Sequence, residues 1–397
     1  MRRTLVMLAA VAAVALWAGV AAAGEYHSGG TLVCMDCHTM HYSQQHDFQG
    51  NAMSPGGPPK PGGAWLGTGG PFNFLLRAAP NTLCLACHDG QSFAPDVLAA
   101  NINASPSQGR QAGALNDDLV GAPYDTWKGH TLDSTANPPG FDPAAVGLSP
   151  TWYNAAGGLE CTSCHAQHGP ATSYRNLGAY SMGGTASNFR PTYVKGAAND
   201  PTKDVWVTDV GPGTIGSRTA AEFNPLYDRA NIFFNRTDGV IGASSRQTSN
   251  KLGSFCAACH ANFHGGAGDA PIGATPAALD GFLRHPTAAV TIGAAGGQGY
   301  GGHSNLARFN TGNTTKVKVW DSTGGPAGAY TNPSPGCITC HKAHGNQNPF
   351  GLIFLARNAA SVTDEGGYGA AQTPSLNQGM RNLCGQCHGQ GSDGALP

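Results

Sequence analysis

Charged residues are scarce in this sequence. They make up 11% of it, and 22 basic and 23 acidic side chains leave a formal charge of −1. Lys and Arg stand singly, so there is no basic stripe to grip nucleic acid and no acidic tail. Long apolar runs are equally rare. Leu5 to Val20 is such a stretch, and it is short for a bilayer span. Arg2 and Arg3 precede it and Ala21-Ala22-Ala23 follow it, which reads as a signal peptide over 1–23, cleaved after Ala23. A retained anchor is the weaker reading. The residue immediately after the cleavage point is Gly24 rather than cysteine, which argues against lipid attachment. The mature chain, from Gly24, is expected to be exported and to lack a membrane span.

Ordinary core material is limited too. Apolar residues make up 40%, while 58 Gly and 27 Pro account for about a fifth of the 397 residues. That balance predicts long loops and little regular structure, with something other than aliphatic side chains filling the interior. Methionine is sparse: beyond the leader there are only Met35, Met40, Met53, Met182 and Met380.

Cysteine and histidine are what the chain does have, and their order is strict. All 12 cysteines fall into C-x-x-C pairs: Cys34/Cys37, Cys84/Cys87, Cys161/Cys164, Cys256/Cys259, Cys337/Cys340 and Cys384/Cys387. Histidine follows each pair at once, as His38, His88, His165, His260, His341 and His388. C-x-x-C-H is the attachment sequence of c-type haem. Two thiols add to the vinyl groups and the adjacent imidazole takes one axial position on the iron. Four-cysteine zinc sites would use the thiols but leave six adjacent histidines unexplained in a chain with only 15. Thioredoxin-like redox pairs fail for the same reason and lack a βαβ context. The sequence therefore predicts six covalently attached haem c groups.

Nine histidines remain: His27, His41, His46, His130, His168, His264, His285, His303 and His344. Six second ligands are needed, so histidine supply meets demand and methionine ligation is disfavoured. Bis-histidine haems are expected to be low-spin, six-coordinate and low in potential. Three attachment motifs carry a further histidine three residues on: His41, His168 and His344. Each is followed by a plain C-x-x-C-H preceded by an apolar residue, Leu83, Phe255 or Leu383. Upstream of each pair stands His27, His130 or His303. The text between also echoes, as PFNFLLRAA at 71–79, YRNLGAY at 174–180 and PFGLIFLAR at 349–357. The chain thus repeats one unit three times, an array rather than a single pocket. The units define haem-pair modules over 24–100, 101–275 and 276–397.

Residues three apart on a helical turn share one side, with Cβ atoms about 5–6 Å apart. The two ligands of one iron must approach from opposite faces. A histidine three residues after a proximal ligand should therefore serve a different haem. On this reading His168 serves the haem of Cys256 and His344 that of Cys384. His130 and His303 are candidates for the first haem of their pairs. His264 and His285 are further candidate ligands, and His46 reads as a surface residue.

With these motifs laid out, the chain resembles the extracellular hexahaem cytochromes of metal-respiring bacteria that polymerise into filaments. The resemblance runs over most of the mature chain. It includes Tyr26-His27-Ser28-Gly29-Gly30, Cys37-His38-Thr39-Met40-His41, Lys128-Gly129-His130, Cys161 to His168, Cys256 to His264, Leu283-Arg284-His285-Pro286 and the last two motifs. It implies a multihaem cytochrome c fold, mostly irregular coil with short helices and little sheet, wrapped around a chain of six haems. It also implies a head-to-tail homopolymer in which His41 ligates the haem of Cys337, Cys340 and His341 in the next subunit. The internal repeat instead assigns His41 to the Cys84 haem of its own chain. If His41 leaves, that haem takes His27 or His130.

Three functions follow as expectations. The first is a secreted electron carrier at or beyond the cell surface, passing electrons to redox partner proteins or extracellular acceptors as a filament. The second is a monomeric periplasmic carrier. The third is a multihaem reductase of nitrogen or sulfur oxyanions. An enzyme needs an open iron position, and the chain has enough histidines for every site and no C-x-x-C-K variant.

Overall fold

A computed structural model of the chain describes residues 27, 34–38, 73–89, 97–98, 112–113, 115–116, 129–136, 138, 158–168, 173–178, 204–207, 232–235, 251–257, 259–260, 292–293, 306–312, 317–321, 330, 333–345, 351–353 and 383–388. The signal peptide and His41, His46, His264, His285 and His303 lie outside them.

Helices are short because the attachment motif needs only one turn. Among the described residues they are α1 (Cys34–Cys37), α2 (Pro80–His88), α3 (Lys251–Ala257), α4 (Leu306–Gly312) and α5 (Cys337–Cys340). All but α4 carry attachment cysteines. Each motif closes on itself by an i+4 backbone bond. His38, His165, His260, His341 and His388 donate their amides to Cys34, Cys161, Cys256, Cys337 and Cys384 at 2.8–3.0 Å, and His88 ends α2. This turn brings both thiols and the imidazole into one neighbourhood, as attachment to a single ring requires. Pro80 opens α2, where its missing N–H costs nothing.

A small sheet runs β1 (Val205–Val207), β2 (Ile232–Asn235) and β3 (Trp320–Asp321), in that order. β1 is antiparallel to β2, with Val205 opposite Phe234, and β2 is parallel to β3, with Phe234 opposite Trp320. The buried apolar cluster gathers around β3. Trp320, Phe309, Val205, Val319, Ile338 and Ile353 are nearly sealed from solvent, and Cys340 and Cys387 pack against its edge. The core thus lies under the last two attachment motifs. Gly336 makes it possible: a Cβ there would stand 2.7 Å from Trp320 Cε3. Asn310 ties α4 in, with its amide donating to the Tyr330 carbonyl and accepting from the Tyr330 amide, both at 2.8 Å.

Candidate functional site

Four pairs of imidazoles face one another in the folded chain. His27 meets His88 with ring centroids 6.1 Å apart, and His38 meets His168 at 5.8 Å. His130 meets His260 at 6.0 Å, and His165 meets His344 at 6.1 Å. In each pair one partner ends an attachment motif and the other is one of the spare histidines. A first-row metal–imidazole bond is about 2 Å, so an iron held between two imidazoles sets their centroids roughly 6 Å apart. The residues present therefore fit a bis-histidine haem at four of the six motifs. The ring planes within the pairs are inclined by 46°, 28°, 40° and 70° in the order given. Burial pushes the pKa of His165 down, which favours the neutral imidazole that a metal ligand must be.

These pairings correct three expectations. His168 stands against His38, whereas it was expected to serve the Cys256 haem. His344 stands against His165, not at the Cys384 motif. His130 stands against His260, the second haem of its pair rather than the first. In both cases the histidine three residues on stands against the motif of another unit, and the direction is backward along the chain. The reason is a backbone crossing that spacing alone does not reveal. His130 donates its amide to the His344 carbonyl at 2.9 Å, and His344 donates to the Ala112 carbonyl at 2.6 Å. Segments 112–113, 129–130 and 344–345 are laced together, with Gly345 bridged to both Gly113 and Gly129. A Cβ at Gly129 would lie 2.5 Å from the His344 carbonyl oxygen, so the crossing needs glycine. The lacing sets His130 and His344 side by side, facing adjacent haem motifs.

The cysteines give the order of the motifs. Cys37 lies close enough to Cys87, Cys164 to Cys259 and Cys340 to Cys387 for their charges to interact. Cys84 likewise lies beside Cys161, and Cys256 beside Cys337. Each of the six motifs therefore adjoins the next in chain order. Junctions within a repeat unit join second cysteines, and junctions between units join first cysteines. Burial raises most of these thiols, Cys164 to about 12 and Cys259 to about 11, which disfavours thiolate cages. Among the described residues no three or more His, Cys, Asp or Glu side chains gather as a metal cage.

Asn81, which the sequence reading missed, builds one of these junctions. From α2 its amide nitrogen donates to Asp133 Oδ1 at 2.8 Å and to the Leu159 carbonyl at 3.1 Å. Its carbonyl oxygen accepts the Cys161 amide at 2.8 Å. A hydroxyl inside the motif does comparable work in two places. Ser163 Oγ accepts the Glu160 amide at 3.0 Å, and Thr339 Oγ1 accepts the Gly336 amide at 2.9 Å and donates to the Lys318 carbonyl. A hydroxyl residue at the third position of C-x-x-C was the only signal for these last contacts.

Six attachment turns in serial order, four of them with an opposed second imidazole, define a multihaem c-type cytochrome carrying six covalent haem c groups. No protein-family profile matches the chain. It is OmcS-like: it is 24% identical to the C-type cytochrome OmcS of Geobacter sulfurreducens over 457 aligned positions, covering 98% of this chain and 99% of that one. Among solved structures it is similar to the OmcS nanowires of Geobacter sulfurreducens, at a TM-score of 0.40 and 16% identity, covering 91% of this chain and 95% of that one. It is also similar to the outer membrane cytochrome S filament of the same organism, at a TM-score of 0.36 and 18% identity over 84% and 88%.

Proposed function

We propose that the protein is a secreted electron carrier whose copies join head to tail into a filament at or beyond the cell surface. The observation that carries this reading is the direction of the second histidines. His168, in the second unit, faces the first haem motif of the first unit, and His344, in the third, faces the first motif of the second. Continuing the rule by one unit sends His41 to the first motif of a preceding third unit, that of Cys337, Cys340 and His341. That unit belongs to another copy of the chain. The upstream histidines obey a companion rule. His27 and His130 face the second motif of their own units, which assigns His303 to His388. Six second ligands are then accounted for, and His264, His285 and His46 are released from ligation.

The cysteine junctions extend in the same way. The next first-cysteine junction would join Cys384 of one copy to Cys34 of the following one, and these are the two exposed cysteines of the 12. A heterologous contact that does not close on itself produces a filament. Bound haem supplies one-electron chemistry at iron, and a row of haems passes electrons along. The chain's own part is to hold each ring against the next and to fill both axial positions. Filled axial positions leave no site for a substrate, so the protein carries electrons rather than transforming an oxyanion. Its partners are copies of itself and the redox proteins or extracellular acceptors at the ends. OmcS, the relative matched over its whole length, is known from filaments.

His41→Ala tests the reading. The variant should be secreted as a six-haem subunit that forms no filaments under the electron microscope and shows a high-spin ferric signal from one haem in six. Normal filaments from this variant would exclude the role given to His41.

A further inference from the structure

One backbone device occurs three times beside the first haem motif of each unit. Leu76 forms an antiparallel bridge with His38, Leu177 with His165 and Leu352 with His341. The residue after each leucine returns its amide to the second cysteine: Arg77 to Cys37 at 2.9 Å, Gly178 to Cys164 at 2.8 Å and Ile353 to Cys340 at 2.8 Å. The residues before the leucine are left-handed. Phe74 and Leu75 have φ of 58° and 57°, Arg175 and Asn176 have 54° and 53°, and Gly351 in the third copy has 61°. Side chains with a Cβ rarely adopt this region. Two successive residues do so here at the same place in two units.

The consequence of the turn lies at the proximal imidazole. The carbonyl of Phe74 faces Nδ1 of His38 at 2.9 Å, and the carbonyl of Arg175 faces Nδ1 of His165 at 2.9 Å. A carbonyl can only accept, so Nδ1 carries the proton and Nε2 is left bare for a metal. An acceptor on the far nitrogen fixes the ring and makes the imidazole a stronger donor to iron. Stronger donation favours the oxidised ion.

We infer that the left-handed turns Phe74-Leu75 and Arg175-Asn176 set redox potential: each aims a main-chain carbonyl at the proximal imidazole and lowers the potential of the haem attached there. Phe74 and Arg175 are positioning residues that act through His38 and His165. The inference rests on those two histidines being iron ligands and is independent of filament formation.

The test compares Arg175→Val with Arg175→Gly in the full six-haem protein. Both remove the guanidinium. Valine, branched at Cβ, is excluded from the left-handed region, whereas glycine enters it freely. Potentiometric titration followed by haem absorbance should show one of the six midpoints raised in the valine variant. All six should keep their wild-type values in the glycine variant. Identical midpoints in the two variants would overturn the inference. Should the valine chain fail to load haem, the wild type decides, through nuclear magnetic resonance of protein labelled with 15N-histidine. Exchange-protected Nδ1 protons on His38 and His165 support the inference, and bare Nδ1 atoms there overturn it. An intact mass short of six haems in the wild type would overturn the ligand reading itself instead.

Discussion

Asn81 illustrates how much a single amide can organise. Its three bonds span from α2 to Asp133, Leu159 and Cys161, and they hold the Cys84 thiol against Cys161. Truncation would leave the half-buried Cys161 amide without its protein partner and remove the bond to the exposed Asp133, at a cost of about 0.5–1.5 kcal/mol. Asn81→Ala should therefore lower the denaturant midpoint by a corresponding amount while all six haems remain attached; an unchanged midpoint would show that the clasp is dispensable. Histidine pairing can be read at the same scale. His344→Met should raise one haem midpoint, because a Met/His iron is higher in potential than a bis-histidine iron. Adding His165→Met should move no second haem, since both substitutions fall on one iron. If a second midpoint moves, the pairing of His344 with His165 is wrong.

At the scale of elements, the lacing of 112–113, 129–130 and 344–345 is one place where the second and third units grip each other. Main-chain atoms approach there to a distance that only glycine permits. Gly129→Ala should force the strands apart, at a cost of about 1–3 kcal/mol for overpacking. It should lower the thermal midpoint and loosen His130 and His344 together. A variant as stable as the wild type, with both haems still low-spin, would show that the crossing tolerates a Cβ. The attachment turns themselves were legible in sequence, because their i+4 closure is local. The echo of PFNFLLRAA, YRNLGAY and PFGLIFLAR was legible as repetition. Its meaning was not: the fold aligns Leu76, Leu177 and Leu352, and the left-handed residues before them carry no compositional mark beyond Asn176 and Gly351.

For the whole molecule, motif order along the chain becomes haem order in space, from Cys37 beside Cys87 to Cys340 beside Cys387. Intact mass spectrometry of the mature protein should find six haem increments on a chain beginning at Gly24; five or fewer would break the series. Gly- and Pro-rich coil suits this architecture, since attached rings can fill interior space that aliphatic side chains would otherwise occupy. The sequence alone determined the six attachment motifs and the histidine that follows each, because they are written within a few consecutive residues, and the threefold unit, because the motifs recur in a fixed order. Only the tertiary structure decided which second histidine faces which motif. His38 and His168 are 130 positions apart and His165 and His344 are 179 apart, so their meeting depends on how the loops between them cross, and spacing within one turn carries no information about that.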